Sequence, residues 1–364
     1  MIGTSDLRQL ATFTGERAPV LSLYLDTDLS RQLKDQAKLV LRDLLERARQ
    51  AGASAQDLER VARFVDLEYD WQGRGLIIFS CQEDGLWQPF PLPVPVKSQV
   101  YVGDRAFLLP LSKLQDQYAP YAVALVSKEG ARLFLIDMGG VIREEATSGN
   151  PIKHQKQGGW SASRFQRHEE TMAAHNLRMA AEAAARFCED NACPRLILAG
   201  TEENTARFRD FLPTPLRQAV VGTIPVDPAA GSREVVERSR EILNELEYER
   251  EQALVERTIT LARSGGAATL GLADTLFALQ ENRVLTLLIE EGYTAPGFVC
   301  PSCDYLSSDE AEHCLFCGTA QSLPVPNIVE RAVHKAIQQG ARVEIIAGSK
   351  ALANAGHIGA LLRY

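Results

Sequence analysis

The chain has 364 residues, is 45% hydrophobic and 24% charged, and carries a formal net charge of −8. That length exceeds one ordinary core and implies two or three domains of a soluble globular protein. The acidic balance argues against wholesale non-specific nucleic-acid binding but leaves room for a local basic site. No apolar run reaches the length of a membrane span, and the start, MIGTSDLRQLATF, lacks the basic and apolar parts of a signal peptide. The expected setting is the cytoplasm, with no membrane partner.

The first segment, 1–97, opens with two short apolar strands, VLSLYLDTD (20–28) and GLIIFSC (75–81). Between them, Leu39, Leu41, Leu44 and Leu45 form one helical stripe, and Leu58, Val61, Phe64 and Val65 form another. The proline-spaced PFPLPVPVK (89–97) reads as an extended linker. The second segment, 98–263, carries strands over 121–146, punctuated at Glu129-Gly130 and Gly139-Gly140. A helix is expected over about 163–189, with Phe165, Met172, Met179 and Phe187 as its buried stripe. Strands at 194–200 and 220–227 follow, then an amphipathic helix over 232–263. The third segment, 264–364, reads as helices at 271–282 and 327–339 beside strands at 284–292 and 342–348. Strands alternating with helices imply an α/β protein throughout.

Seven cysteines are present, four of them as Cys300-x2-Cys303 and Cys314-x2-Cys317. In a reducing compartment two CxxC turns this close point to a metal site before disulfides or free thiols. Four thiolates suit a closed, structural zinc site in a small ribbon at about 296–322. Cys81, Cys188 and Cys193 stand in core-like or helical contexts, which burial explains.

One stretch stands out against the acidic chain. Residues 153–168, KHQKQGGWSASRFQRH, hold four Lys/Arg, two His and no acid. Gly158 and Gly159 free the backbone for close approach to another surface. Lys153, His154, Lys156, Arg164, Arg167 and His168 are candidate phosphate contacts, and Trp160 is a candidate to stack on a base. The same composition suits a solvated helix face beside a surface loop. Gln166, three residues after Ser163, has the spacing of a capping box. Gly159-Trp160-Ser161-Ala162-Ser163 approaches a serine-hydrolase elbow, but polar KHQKQG stands where that elbow needs an apolar strand.

TSGNPIKHQKQGGWSASRFQRHEETMAAHNLRMAAEAA (147–184) resembles the central domain of archaeal and eukaryotic class 1 peptide chain release factors. That family has a threonine-serine-glycine turn, a basic loop, Gly-Gly-Gln-Ser, an RF-R helix start and a later histidine-asparagine. Here Gly158, Gly159, Ser161, Arg164, Phe165, Arg167, His175 and Asn176 stand at matching positions. SLYLD (22–26), GLIIFS (75–80), YVGDRAFLLPLSKL (101–114), LGLADTLFALQENRVLTLLIEEG (270–292) and GHIGALLRY (356–364) extend the likeness over most of the chain. The resemblance implies three α/β domains in the release-factor arrangement, with a zinc ribbon inserted in the third. It implies a ribosome and tRNA as partners, and a translational GTPase through the C-terminal domain.

Two departures bear on activity. Trp160 stands where the family keeps its catalytic glutamine, and no Asn-Ile-Lys-Ser stop-codon loop occurs between 26 and 40. Gln157, one residue before the glycines, is the candidate substitute beside Gly158 and Gly159, ahead of Gln166. The expectation is a release-factor-like protein whose loop approaches the acceptor end of tRNA and hydrolyses peptidyl-tRNA in rescue or quality control. The alternative is a non-catalytic Pelota-like rescue or RNA-binding module, and a serine hydrolase through Ser161 is a distant third.

Overall fold

The computed structural model describes residues 4–149, 162–320 and 322–364, without the side chains at 4, 5, 115, 116, 148 and 162–166. The chain divides into two compact units. One joins Met1–Asp116 with Glu249–Tyr364, and the other is Gln117–Tyr248.

The first unit begins with α1 (Thr4–Thr12), β1 (Val20–Asp26), α2 (Lys34–Gln50), α3 (Ala55–Arg63), β2 (Gly75–Cys81), β3 (Leu86–Leu92), β4 (Gln99–Gly103) and α4 (Leu109–Gln117). The strands form a sheet in the order β3-β2-β1-β4, antiparallel throughout. Leu21, Leu23 and Leu25 point to one face, where Ala37, Leu41 and Leu44 of α2 and Leu58 and Val61 of α3 cover them. Burying each such leucine stabilises the fold by about 1.5–3 kcal/mol. Leu39 faces solvent, since the covering stripe of α2 runs through Ala37, Leu41, Leu44 and Ala48.

The linker expected over 89–97 is corrected here, because its first part is the edge strand β3. Pro89 and Pro91 lie two apart, opposite Ile78 and Leu76. Their nitrogens therefore share one side of the strand, and at an edge that side can be the one without a partner. The sheet also reaches past residue 97, since Gln99–Gly103 pairs with β1.

The second unit contains β5 (Tyr121–Ser127), β6 (Gly130–Asp137), β7 (Gly140–Ser148), α5 (Ala162–Asp190), β8 (Leu196–Gly200), α6 (Glu202–Phe211), α7 (Thr214–Gln218) and β9 (Val220–Pro225). The sheet order is β7-β6-β5-β8-β9, with the β5–β8–β9 side parallel. The helix α8 (Ser232–Arg263) follows. Its Val235 packs beneath the sheet with Ile197, Ala199 and Ile224.

The first unit resumes with β10 (Ala268–Leu270), α9 (Leu272–Gln280), β11 (Val284–Glu290), β12 (Gly297–Val299), β13 (Leu306–Ser307), β14 (Leu323–Val325), α10 (Ile328–Gln338), β15 (Arg342–Ile346), α11 (Lys350–Asn354) and β16 (Ile358–Leu362). A sheet in the order β10-β16-β11-β15 forms here, with β11 and β15 parallel. The three short strands β13-β12-β14 make a separate small sheet. Helices and several sheets thus make a mixed α/β fold, and the small ribbon sheet falls inside the stretch expected over 264–364. No helix among the described residues is long and apolar enough to cross a membrane.

Candidate functional site

The ribbon brings the four predicted cysteines together. Sγ atoms of Cys300, Cys303, Cys314 and Cys317 all lie within 4.8 Å of one another. Cys300–Cys317 and Cys303–Cys314 are each 3.5 Å apart. Zinc–sulfur bonds of about 2.3 Å in a tetrahedron imply sulfur–sulfur edges of about 3.8 Å, so the donor set and its size fit one zinc ion.

The two turns repeat each other. The amides of Asp304 and Gly318 donate to the carbonyls of Cys300 and Cys314, each at 2.9 Å. Cys300 and Cys314 donate in turn to Tyr305 and Thr319. Burial pushes the Cys303 thiol up to about 12. The Thr319 hydroxyl, 3.2 Å from Cys317 Sγ, brings that thiol down to about 6. A divalent cation among them would hold all four as thiolates. The ribbon is seated by Phe316, whose ring meets Tyr305 and Phe277 of α9, and by Lys335 of α10, whose Nζ donates to the Asp304 carbonyl at 2.6 Å.

The basic stretch joins β7 to α5. Gln157, Gly158, Gly159, Lys153, His154, Lys156 and Trp160, with Ser161, lie outside the described residues. Arg164 and Gln166 lie in α5, but their side chains are outside the description. Arg167 and His168 are described and exposed, as are His175, Arg178 and Arg186 further along the helix. Glu170 and Glu182 are exposed on the same helix, so its outer surface is mixed in charge. Arg178 lies over the Phe211 ring at 5.2 Å.

The buried face of α5 departs from the expected stripe. Met179 is 47% exposed, while Ala173, Leu177, Ala180, Ala181, Ala184 and Phe187 are buried. Alanines let the helix lie close on Ala122, Ala124 and Leu133 of the sheet, and a methionine stripe would hold it further off. Sequence reading had no reason to favour alanines over methionines as core.

The structure adds a close contact at the base of the basic stretch. Gly149 is the last described residue before it, and its amide donates to the Glu129 carbonyl at 2.8 Å. Asn176 of α5 is buried, and its Nδ2 donates to the Lys128 carbonyl at 3.2 Å. The family resemblance had marked Asn176 as a matching position without giving it a task, and had not singled out Gly149.

Residues 107–243 match the sequence profile of bacterial archaeo-eukaryotic release factor family 10. The peptide chain release factor subunit 1 of Thermococcus onnurineus is 27% identical over 402 residues, covering 98% of this chain and 96% of the relative. That of Methanobrevibacter smithii is 26% identical, again covering 98% of this chain and 96% of the relative. Among solved structures, Archaeoglobus fulgidus Pelota aligns over 100% of this chain and 92% of its own, with 16% identity and a TM-score of 0.37. At that score the structural likeness adds no argument to the sequence match. Over nearly its whole length the chain is thus similar to class 1 release factors, and its central part to a bacterial release-factor-like family.

Proposed function

We propose that this release-factor-like protein acts on ribosomes and brings residues 153–168 to the acceptor end of a tRNA. The observation that carries this is the match to archaeal release factor subunit 1 proteins over nearly the whole of both chains. The basic character of the stretch supports it, with Arg167 and His168 exposed where α5 begins. Lys153, His154, Lys156, Arg164, Arg167 and His168 neutralise backbone phosphates in this reading, and Trp160 stacks on a base.

In the hydrolytic form of the proposal, Gly158 and Gly159 let the backbone approach the peptidyl-tRNA ester, and Gln157 orients a water on it. Oriented amide dipoles stabilise the charge that develops on the ester. A second reading is favoured by Trp160 itself. An indole donates one hydrogen bond and accepts none, so it cannot replace a water-orienting glutamine. In that reading the protein is a non-catalytic, Pelota-like rescue module that grips RNA. In both, the four cysteines hold a structural zinc ion, and the C-terminal segment recruits a translational GTPase.

A peptide-release assay on stalled ribosomes separates the two. Release that disappears in Gln157→Ala supports hydrolysis. Ribosome binding without release, weakened by Trp160→Ala, supports the second reading. Protein that neither binds nor releases would contradict both.

A further inference from the structure

The first compact unit contains a cavity of about 350 Å³, away from the cysteine site, and its wall is rich in arginine. Arg8 of α1, Arg250 of α8 and Arg342 of β15 line it, against one carboxylate, Glu344. Glu344 is buried and already taken, since Arg250 holds it in a two-pronged pair at 2.9 and 2.5 Å. Arg8 and Arg342 have no carboxylate partner among the described residues. Two like charges on one concave wall repel each other and concentrate positive potential in the cavity. The chain's net charge of −8 makes such an uncompensated pair a local feature and no reflection of general basicity.

A second observation points the same way. Ser112 of α4 lines the cavity and is 7% exposed, yet its hydroxyl has no hydrogen-bond partner. An unpartnered buried hydroxyl costs stability, and such groups in native folds call for an explanation. The remaining wall includes Leu7, Ile337 and Val343, an apolar surface against which a flat organic body can lie. Size, charge and apolar backing together describe a small-molecule site.

We propose that this cavity binds an organic phosphate of about nucleoside-monophosphate size. Arg8 and Arg342 take the phosphate, for which the planar guanidinium fork is suited. The Ser112 hydroxyl is a further donor, and the organic body rests on the apolar wall. The inference rests on neither reading of residues 153–168, which belong to the other compact unit.

Calorimetric titration of the full-length protein with AMP, GMP and inorganic phosphate tests it. The expected result is saturable binding of a nucleotide, weaker binding of inorganic phosphate, and a loss of roughly tenfold or more in each of Arg8→Ala and Arg342→Ala. Both arginines are exposed, so the variants should melt as the wild type does. Ser112→Ala should weaken nucleotide binding while leaving the free protein as stable or more so, which a purely structural serine would not do. No binding of any probe at millimolar concentration would overturn the proposal. So would nucleotide affinity unchanged in the double arginine variant, or inorganic phosphate bound as tightly as the nucleotides. Arginine-dependent binding of an RNA oligonucleotide without mononucleotide binding would overturn it as well.

Discussion

Gly149 and Asn176 touch so closely that a Cβ on Gly149 would lie 2.2 Å from Asn176 Oδ1. With the Gly149 amide on Glu129 and the Asn176 amide on Lys128, this contact ties the start of the basic stretch, the β5–β6 turn and α5 together. Gly149→Ala should destabilise the protein by about 1–3 kcal/mol, because Asn176 is buried and cannot swing aside. Asn176→Ala should cost about 1–3 kcal/mol, since it leaves the Lys128 carbonyl unpaired. The two residues touch, so the double variant should lose less than the sum. Denaturant unfolding of the three variants reads this directly, and strict additivity would show the contact to be unimportant.

Asp304 and Gly318 hold equivalent places in the two cysteine turns, with φ of 55° and 74°. Both lie in the left-handed region, where glycine is the residue without steric cost. Gly318→Ala should therefore lower the stability of the metal-loaded ribbon by about 1 kcal/mol, and Asp304→Gly should leave it unchanged or raise it. Equal losses from the two substitutions, measured by resistance to chelator, would contradict the assignment.

Metal content follows from the sulfur geometry. Elemental analysis should find about one zinc per chain. Chelation or Cys314→Ser should release the ribbon strands β12–β14 while the β11–β15 sheet persists. Hydrogen exchange localises the change, and unaltered protection at 297–325 after chelation would refute a structural metal.

Glu330 of α10 gives a pH dependence. It is buried, and its Oε1 accepts the Leu108 amide at 2.6 Å. Burial raises its pKa from 4.5 to about 8. The folded state therefore binds this proton more tightly than the unfolded chain. Glu330's contribution is fully present below pH 4.5 and is lost as pH rises toward 8, at about 1.4 kcal/mol per pH unit. His334, one turn on, faces the carbonyls of Ala11 and Ala106, and burial lowers its pKa below 6.5. Its contribution runs the other way and fades on acidification below that value. Glu330→Gln keeps an acceptor for Leu108 and removes the carboxyl proton. Its stability relative to wild type should climb from pH 5 to pH 8, and a flat difference in melting temperature would contradict the raised pKa.

Much of this fold was legible because its signals are local. The strands at Val20–Asp26 and Gly75–Cys81 are short apolar runs, and α8 spans the amphipathic stretch expected over 232–263. The CxxC spacing alone gathered the four cysteines. What escaped depends on partners distant in sequence. The strand β3 tolerates Pro89 and Pro91 because it lies at a sheet edge, and no local pattern reveals an edge. Asp304 adopts a conformation for which glycine is the usual sign. The arginines of the cavity lie on three elements, at 8, 250 and 342, with no motif to join them.

The central claim concerns where residues 153–168 go on the ribosome. A photo-crosslinking amino acid in place of Trp160, in protein bound to stalled ribosomes, tests it most directly. The account predicts crosslinks to the terminal nucleotides of a tRNA acceptor end, lost when ribosome binding is abolished. Stable ribosome binding with crosslinks only to sites remote from any acceptor end would contradict it.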